Sequence, residues 1–450
     1  MKDSIDFGKT EIPKLFRKLL VPTVLGMVFS AIFVITDGIF VGKGVGSDAL
    51  AAVNITAPLF LLTTAVGLMF GVGGSVVASV RLSQGKIKSA RIHVTQAIFA
   101  SSLLLILFSA LVLAFPVSIA GWLGSSAELL PLVTEYMRWF VPFLVFSCLL
   151  NSGMFFIRLD GSPNFAMLCN AIPAVINIGL DYLFIFVFGW GMMGAALATG
   201  LGMIVGSVMI LIYLSRKRTQ ISFCRIKTNL KGIIPAVQNI GYMCKLGSSA
   251  FLCEASIAVM MFFGNYIFIR YLGVDGVAAF SVVCYFFPII FMIYNAIAQS
   301  AQPIISYNYG AGNGLRARGA FRLSLKTAFA CGFLFFLLTA LFGDQIVSLF
   351  IDPVNPAFIL AAEGLPLFAF GFMFFAVNMV SIGYFQSVER ARCATVVTLM
   401  RGGLFMAACF FGLPLIMGVK GIWLAVPLAE ILTLLLILSI YLKKRRIVRN

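Results

Sequence analysis

Four oxygen-bearing side chains lie inside strongly apolar stretches of this sequence. Asp37 is the one carboxylate in the run AIFVITDGIFVG, NIGLDYLF places Asn177 and Asp181 four residues apart, and Thr199 follows in the next apolar stretch. A charged carboxylate facing lipid costs at least about 2.5–3.5 kcal/mol at the bilayer centre, so these side chains should face the protein interior or water. Two carboxylates, an amide and a hydroxyl form a hard-oxygen set that suits a proton or a small hard cation.

Long apolar segments supply the helices that must position these residues. The chain has 450 residues, of which 61% are hydrophobic and 11% charged, and a mean hydropathy of +1.04. Segments of about 20 apolar residues recur along it, as in transmembrane helices. We predict an all-α polytopic membrane protein with twelve spans, at 15–41, 49–80, 88–119, 130–158, 162–188, 192–215, 236–270, 276–308, 316–345, 357–387, 390–413 and 418–442.

The basic residues predict the orientation of these spans. The net charge is +17, and most of the 33 Lys and Arg residues fall in segments that we place in the cytoplasm together with both termini. The predicted outer side carries Lys43, Arg138, Arg270 and Lys420. Basic residues accumulate on the cytoplasmic side of membrane proteins, so this asymmetry predicts the orientation. We expect the protein in the inner (plasma) membrane. The basic tail KKRRIVRN then faces anionic lipid headgroups, and nucleic acid is not an expected partner.

This orientation brings the four side chains to one depth. The first and fifth spans run outward, with Asp37 and Asp181 a few residues below their outer ends, and Thr199 lies a similar distance into the returning sixth span. Asn177 lies one turn from Asp181 on the same helix face. The alternative is a buried polar knot that holds three helices together, with the Thr199 hydroxyl bonded to its own helix backbone.

The two halves of the sequence match at a constant difference in residue number, by which Gly46, for example, corresponds to Gly273. VGSDALAAV at 45–53 matches LGVDGVAAF at 272–280, and GMMGAALA at 191–198 matches GVKGIWLA at 418–425. One offset that holds across several spans indicates duplication, and six spans per copy give both copies the same orientation. We predict an N-terminal six-helix lobe at 1–215, a cytoplasmic basic linker at 216–235 and a C-terminal six-helix lobe at 236–450, as two parallel bundles around a central cleft.

The oxygens occur in only one half. The counterparts of the four site residues are Gly264, Leu404, Ala408 and Val426. A knot required by the six-helix fold should recur in both halves, so this asymmetry favours a functional role.

Three further residues of interest lie inside predicted spans. Glu254 leaves two interpretations open: attraction of a cationic substrate or a second proton site, and a structural role as a protonated side chain or a partner of Lys245 or Arg401. Glu430 is expected to be a packing or end-facing residue. Pro22, in the same span as Asp37, frees a backbone carbonyl and permits a bend.

The chain resembles the multidrug and toxic compound extrusion family over essentially its full length. The resemblance rests on the twelve spans as a 6+6 repeat, on TDGIFVGKGVGSDALAAVNITAP at 36–58 and on PAVINIGLDYLF at 173–184. It implies that Asp37, Asn177, Asp181 and Thr199 form the N-lobe cation site. Some members also use a seventh-span Glu, matched by Glu254, with a tenth-span Asp; the tenth span here carries only Glu363.

The resemblance implies a secondary antiporter that works by alternating access. H⁺ or Na⁺ moves inward, and small amphipathic organic compounds, often cationic, move out. The coupling ion is the only cofactor expected, and we expect the monomer to function. The 45 Phe and 19 Met residues suit an adaptable apolar cavity, with Phe33 and Asn151 as candidate wall residues.

Three other functions are alternatives for such a chain. A lipid-linked oligosaccharide flippase of a related fold would need cationic cavity residues, and only Lys245 and Arg401 qualify. A membrane-embedded enzyme such as an acyltransferase would need a nucleophile or base; the sequence has no HExxH or GxSxG, and its single histidine, His93, is expected to be a solvated loop residue. A passive channel is the third alternative, which a measurement of transport against a gradient would exclude.

Overall fold

The computed structural model describes residues 5–216, 219–225 and 230–447, and every regular element within them is helical. The α-helices are Ile12–Gly44 (α1), Ser47–Ser83 (α2), Ile87–Ala114 (α3), Pro116–Trp122 (α4), Leu130–Phe140 (α5), Leu144–Leu159 (α6), Pro163–Asp181 (α7), Gly191–Ser215 (α8), Leu230–Gly310 (α9), Gly314–Leu341 (α10), Gly343–Ser348 (α11), Pro356–Ala369 (α12), Phe372–Ser387 (α13), Ala391–Leu399 (α14), Met406–Met417 (α15) and Val419–Ile447 (α16). A 3₁₀ turn at Val141–Phe143 joins α5 to α6. One π-helix, Tyr182–Val187, follows α7, and another, Met400–Phe405, joins α14 to α15.

These helices account for the predicted spans. In the described ranges, ten helical segments are long and apolar enough to cross a membrane, or eleven when α12 and α13, bent by 43°, count as one span. Helix α9 covers two predicted spans, 236–270 and 276–308. It is broken at Gly273, whose φ of 64° and ψ of −151° suit glycine because it has no Cβ. When α9 is counted as two spans and the bent pair α12–α13 as one, the total in the described ranges is the predicted twelve, so the all-α fold with twelve spans is confirmed.

Two predicted spans end earlier than expected. The third was predicted to reach residue 119, but α3 ends at Ala114, because Pro116 starts a separate short helix, α4. The ninth was predicted to reach residue 345, but α10 ends at Leu341 and the short helix α11 follows. A long helix followed by a short one, α3 with α4 and α10 with α11, thus occurs at equivalent places in the two halves.

The backbone also carries the repeat. Gly85 and its counterpart Gly312 have φ values of 73° and 75°, and Gly191 and its counterpart Gly418 have 55° and 57°. Residues with a side chain rarely adopt these angles. The matched glycines therefore mark turns of the same geometry in both halves.

The described chain forms two compact units. The first contains the residues up to Phe251 together with Ser306–Asn313, and the second contains Leu252–Ile305 and the residues from Gly314 on. The lobe boundaries predicted around the linker at 216–235 stay a prediction.

Helix pairs build each unit. In the first, α1 packs on α7, α2 on α6, and α7 on α8; in the second, α10 packs on α13 and α15 on α16. The second unit has an aromatic core in which the rings of Phe268 and Phe280 stack at 4.6 Å. Large apolar side chains on the outer faces, such as Phe99, Leu107 and Val175, are more than half exposed, which suits helices surrounded by lipid.

Candidate functional site

Asp37 and Thr199 meet between α1 and α8. Thr199 is buried, and its hydroxyl donates a hydrogen bond to Oδ1 of Asp37 at 2.9 Å. Asp37 itself is half-buried. The hydroxyl therefore bonds a side chain of another helix, whereas the alternative left open by the sequence was a bond to the backbone of its own helix. A hydrogen bond to a charged group contributes about 1.5–3 kcal/mol, so this contact joins α1 to α8 at the level of the carboxylate.

Helix α7 adds Asn177 and Asp181, one turn apart on its buried face. Both side chains have no exposed surface. Among the described residues, neither oxygen of Asp181 and neither polar atom of the Asn177 amide has a hydrogen-bond partner. An unpaired buried polar group costs about 1–3 kcal/mol, and a charged one more. These atoms therefore have unused capacity to bind a ligand.

The carboxylates of Asp37 and Asp181 lie close enough to act on each other electrostatically, and Asn177 also acts on Asp37. Two carboxylates in a weakly solvated pocket repel each other, and a bound proton or metal cation removes that repulsion. The structure thus brings together all four side chains that the sequence singled out. Their role as a coupling site stays a prediction.

Tyr136, on α5, also lies at the site, although it was not among the residues singled out from the sequence. Its buried phenol lies within electrostatic range of both Asp37 and Asp181, so a fourth span contributes to the site. Its ring stacks on Phe140, with the centroids 5.1 Å apart. Its depth in the membrane could have indicated this residue from the sequence. Tyr136 lies a few residues below the predicted outer end of the fourth span, and the other site residues lie at a similar depth in their own spans.

Glycines let α8 approach α7 closely enough to position the site. A Cβ on Gly202 would lie 3.2 Å from the carbonyl oxygen of Pro173 and 3.5 Å from Cβ of Asn177, and a Cβ on Gly206 would lie 2.8 Å from Cγ of Pro173. Small residues commonly permit such approaches between membrane helices. Directly after Asp181 the chain enters a π-helix, a conformation that is frequent at functional sites.

The equivalent positions of the second unit differ in environment as well as in type. Leu404 is 58% exposed and Ala408 is exposed, whereas Gly264 and Val426 are buried. No side-chain oxygen replaces those of the first unit at these four positions.

The candidate wall, substrate and hinge residues lie in varied surroundings. Phe33 is half-buried on α1, and Asn151 is half-buried with its amide donating to a backbone carbonyl of its own helix at 3.0 Å. Pro22 is buried within α1, which continues past it as one helix. Glu254 belongs to the second unit and is half-buried. The wall, substrate and hinge roles of these residues stay predictions.

Two expectations were wrong. Glu430 is not an end-facing or simple packing residue: its Oε1 lies 2.8 Å from Nε of Arg401, and both side chains are buried. Arg401 therefore pairs with Glu430 and not with Glu254. His93 is not a solvated loop residue, because it lies on the buried face of α3. The imidazole is buried, with Nδ1 2.7 Å from the carbonyl oxygen of Ser89.

The sequence model of the MatE family matches the chain twice, at residues 22–183 and 250–411. This chain is a member of the MATE family. The starts of the two matches are separated by almost the same offset that relates the halves of the sequence, so each match covers most of one repeat. MATE proteins are membrane transporters and not enzymes, and this member is accordingly a multi-pass membrane protein.

Known proteins resemble this chain in sequence or structure over nearly its full length. The chain is 27% identical to the multidrug export protein MepA of Staphylococcus haemolyticus, over 94% of this chain and 92% of that protein. It is 26% identical to the FAD transporter of Shewanella oneidensis, over 96% and 95%. A solved outward-facing structure of a multidrug resistance MATE family transporter matches with a TM-score of 0.89 at 22% identity, covering 99% of this chain and 98% of that one. The likeness to this structure shows the MATE fold.

Proposed function

We propose that this MATE transporter is a secondary antiporter that exports small organic, often cationic, compounds in exchange for H⁺ or Na⁺. The observation that carries the proposal is the set of buried, unpaired atoms on Asn177 and Asp181 beside the Asp37–Thr199 hydrogen bond. Such a set is costly when empty and charged. A bound cation offsets that free-energy cost, because its positive charge neutralises the carboxylates and their oxygens bind it.

The coupling follows from competition between ion and substrate. A proton or Na⁺ arriving at Asp37 and Asp181 relieves the repulsion between the carboxylates and changes the packing of α1 against α7 and α8. If the compound binds the form without the cation, the ion and the compound each lower the other's affinity by the same factor. An inward ion gradient then drives the compound outward by alternating access, with Pro22 as the candidate bend in α1.

The substrate class comes from the relatives and the composition. The MepA relative is a multidrug exporter by name, and the 45 Phe and 19 Met residues of this chain are suited to adaptable apolar contacts. The S. oneidensis relative carries FAD by name, which makes a flavin nucleotide the first anionic compound to assay. We place the chain in the bacterial plasma membrane with both termini cytoplasmic, working as a monomer.

The flippase alternative loses its main cationic residue. A pyrophosphate-linked substrate would need accessible positive charge, but the Arg401 guanidinium is buried and paired with Glu430. Lys245 is exposed on α9, and one flexible ammonium group is a weak basis for pyrophosphate recognition. Antiport of organic compounds therefore fits the described residues better.

The test is Asp37→Asn in reconstituted vesicles. Export of a fluorescent organic cation is measured with a pH gradient alone and with a Na⁺ gradient alone. We expect one gradient to drive wild-type export and the variant to lose it at matched protein content, because asparagine keeps the size of the side chain but cannot exchange a cation. Asp48→Asn is the matched control, since it neutralises an exposed carboxylate of the same unit.

Two results contradict the proposal. If the Asp37→Asn variant still exports against a gradient with unchanged ion dependence, Asp37 has only a structural role. If wild-type protein equilibrates the compound but never accumulates it under either gradient, the chain is a passive channel.

A further inference from the structure

The second unit contains a buried ionic cluster that antiport through Asp37 does not use. Nε of Arg401 lies 2.8 Å from Oε1 of Glu430, and the two side chains are 2% and 1% exposed. Asn378, on α13, donates from Nδ2 to Oε2 of Glu430 at 2.7 Å and to its backbone oxygen at 2.8 Å. Both carboxylate oxygens of Glu430 are therefore engaged by neighbouring helices.

The guanidinium is held on its other side by soft and aromatic groups. Cζ of Arg401 lies 4.7 Å from the centroid of Phe375, and Nη1 lies 3.4 Å from Sδ of Met379 and 4.0 Å from Sγ of Cys253. A planar, always-charged guanidinium can make these contacts together with a carboxylate bond, which a hydrated ammonium cannot do equally well. The surroundings are thus built to hold a cation beside Glu430.

Arg401 lies on the span of the second half that corresponds to the span of α7, whereas Glu430 lies on α16 and Asn378 on α13. The fifth span contains a π-helix directly after Asp181, and the equivalent eleventh span contains the π-helix Met400–Phe405, which carries Arg401. In each half, an intramembrane charge therefore lies at a local departure from α-helix. In the first unit the charge is the Asp181 carboxylate, which has no cationic side chain paired with it among the described residues, and in the second it is the Arg401 guanidinium, which is paired with Glu430.

We propose that Glu430 is a latent monovalent-cation site of the second unit, and that the Arg401 guanidinium is a built-in cation that occupies it. The proposal rests on the proposed exchange of H⁺ or Na⁺ at Asp37 and Asp181, and it restricts that exchange to the first unit. Removing Arg401 while Glu430 remains should open a second site for H⁺ or Na⁺. Arg401 is thus a specificity residue that limits the number of exchangeable ions.

Few other ionisable side chains face the pair. Cys253 lies against Arg401 and Cys253 itself is within electrostatic range of Glu254. Glu363 and Arg392, on other helices that pack against α16, are exposed, and Cys393 and Cys409 lie on the same helical span as Arg401. A new ion response in a variant is therefore assigned to Glu430 only if it disappears when Glu430 is also replaced.

The experiment uses the full chain purified in detergent, with Asp37→Asn and Asp181→Asn present throughout. In this background, the midpoint of thermal unfolding is measured against pH and against Na⁺ with choline as the replacement cation. We expect little response when Arg401 is intact. Arg401→Gln should unfold at a temperature that rises with Na⁺ or with falling pH, because the buried Glu430 then needs a cation. Arg401→Gln with Glu430→Gln should lose that response.

The proposal is overturned if Arg401→Gln responds to neither ion, or if the response persists when Glu430 is also replaced. If Arg401→Gln does not fold, Arg401→His takes its place. Na⁺ should then stabilise the protein at alkaline pH, where the imidazole is neutral, and not at acidic pH, and Glu430→Gln should remove the effect. An Arg401→His variant without this pH-dependent Na⁺ response also overturns the proposal. Failure of the proposed antiport leaves the test intact, because the first-unit carboxylates are absent and no transport is measured.

Discussion

Replacing Thr199 by valine removes one hydroxyl and keeps the branched shape of the side chain. In the structure that hydroxyl donates to Oδ1 of Asp37 at 2.9 Å. A hydrogen bond to a charged group contributes about 1.5–3 kcal/mol, and the lower end of this range gives the minimum effect to expect at the half-buried Asp37. A change of about 1.4 kcal/mol corresponds to tenfold in an equilibrium constant, so Thr199→Val should change ion binding about tenfold.

The direction of the change distinguishes the two coupling ions. If H⁺ is coupled, losing the donor disfavours the ionised form of Asp37 relative to the protonated form. The pH of half-maximal export should then move by about one unit towards alkaline values. If Na⁺ is coupled, the hydroxyl is lost as an oxygen ligand, and the half-saturating Na⁺ concentration should rise by about tenfold with little change in the pH profile.

The assay is gradient-driven export from vesicles at matched protein content, with external pH and Na⁺ varied separately. Thr199→Ser is the control, because it keeps the hydroxyl and should retain wild-type midpoints. Wild-type values for Thr199→Val in both titrations would refute a coupling role for the Asp37–Thr199 contact. Equal shifts in the Ser and Val variants would show that the methyl group matters and the hydroxyl does not.

Three further outcomes are expected. Asp181→Asn should abolish export driven by either gradient. At its repeat counterpart, Ala408→Asn should change export per folded protein by less than about threefold, because it removes no proposed ion ligand, and equal losses at equal expression would contradict a one-unit site. Gly202→Leu should lower the unfolding temperature, because overpacking against α7 costs about 1–3 kcal/mol. Gly179→Leu should not lower it, because a Cβ at Gly179 meets nothing within 4 Å, and equal effects of the two changes would argue against close packing of α7 and α8. Gln220→Cys, in a variant without native cysteines, should react with an impermeant thiol reagent only after cell lysis, and labelling of intact cells would reverse the predicted orientation.

Much of the fold follows from local sequence. A bilayer-crossing helix needs a run of about 20 apolar residues, and that condition can be tested along the chain without knowing what any segment packs against. The fixed offset between the halves predicts the duplication for a similar reason, because turns of one geometry select glycine in both halves, as at Gly85 and Gly312. Helix ends were less predictable where proline or glycine starts a short extra helix, as at Pro116.

The four residues of the candidate site could also be proposed from sequence, since an intramembrane carboxylate is expensive wherever it lies. Their partners required the structure. The bond from Thr199 to Asp37, the approach of Tyr136 and the pairing of Arg401 with Glu430 all join different helices. These helices carry apolar residues on most faces, so the periodicity of the sequence says little about how each helix is rotated about its axis. That rotation, together with how closely the helix backbones approach, decides which polar side chains meet. The sequence by itself therefore determined where the costly charges lie along the chain, and only the tertiary structure decided that the carboxylates of α1 and α7 adjoin each other while Glu430 has an arginine beside it.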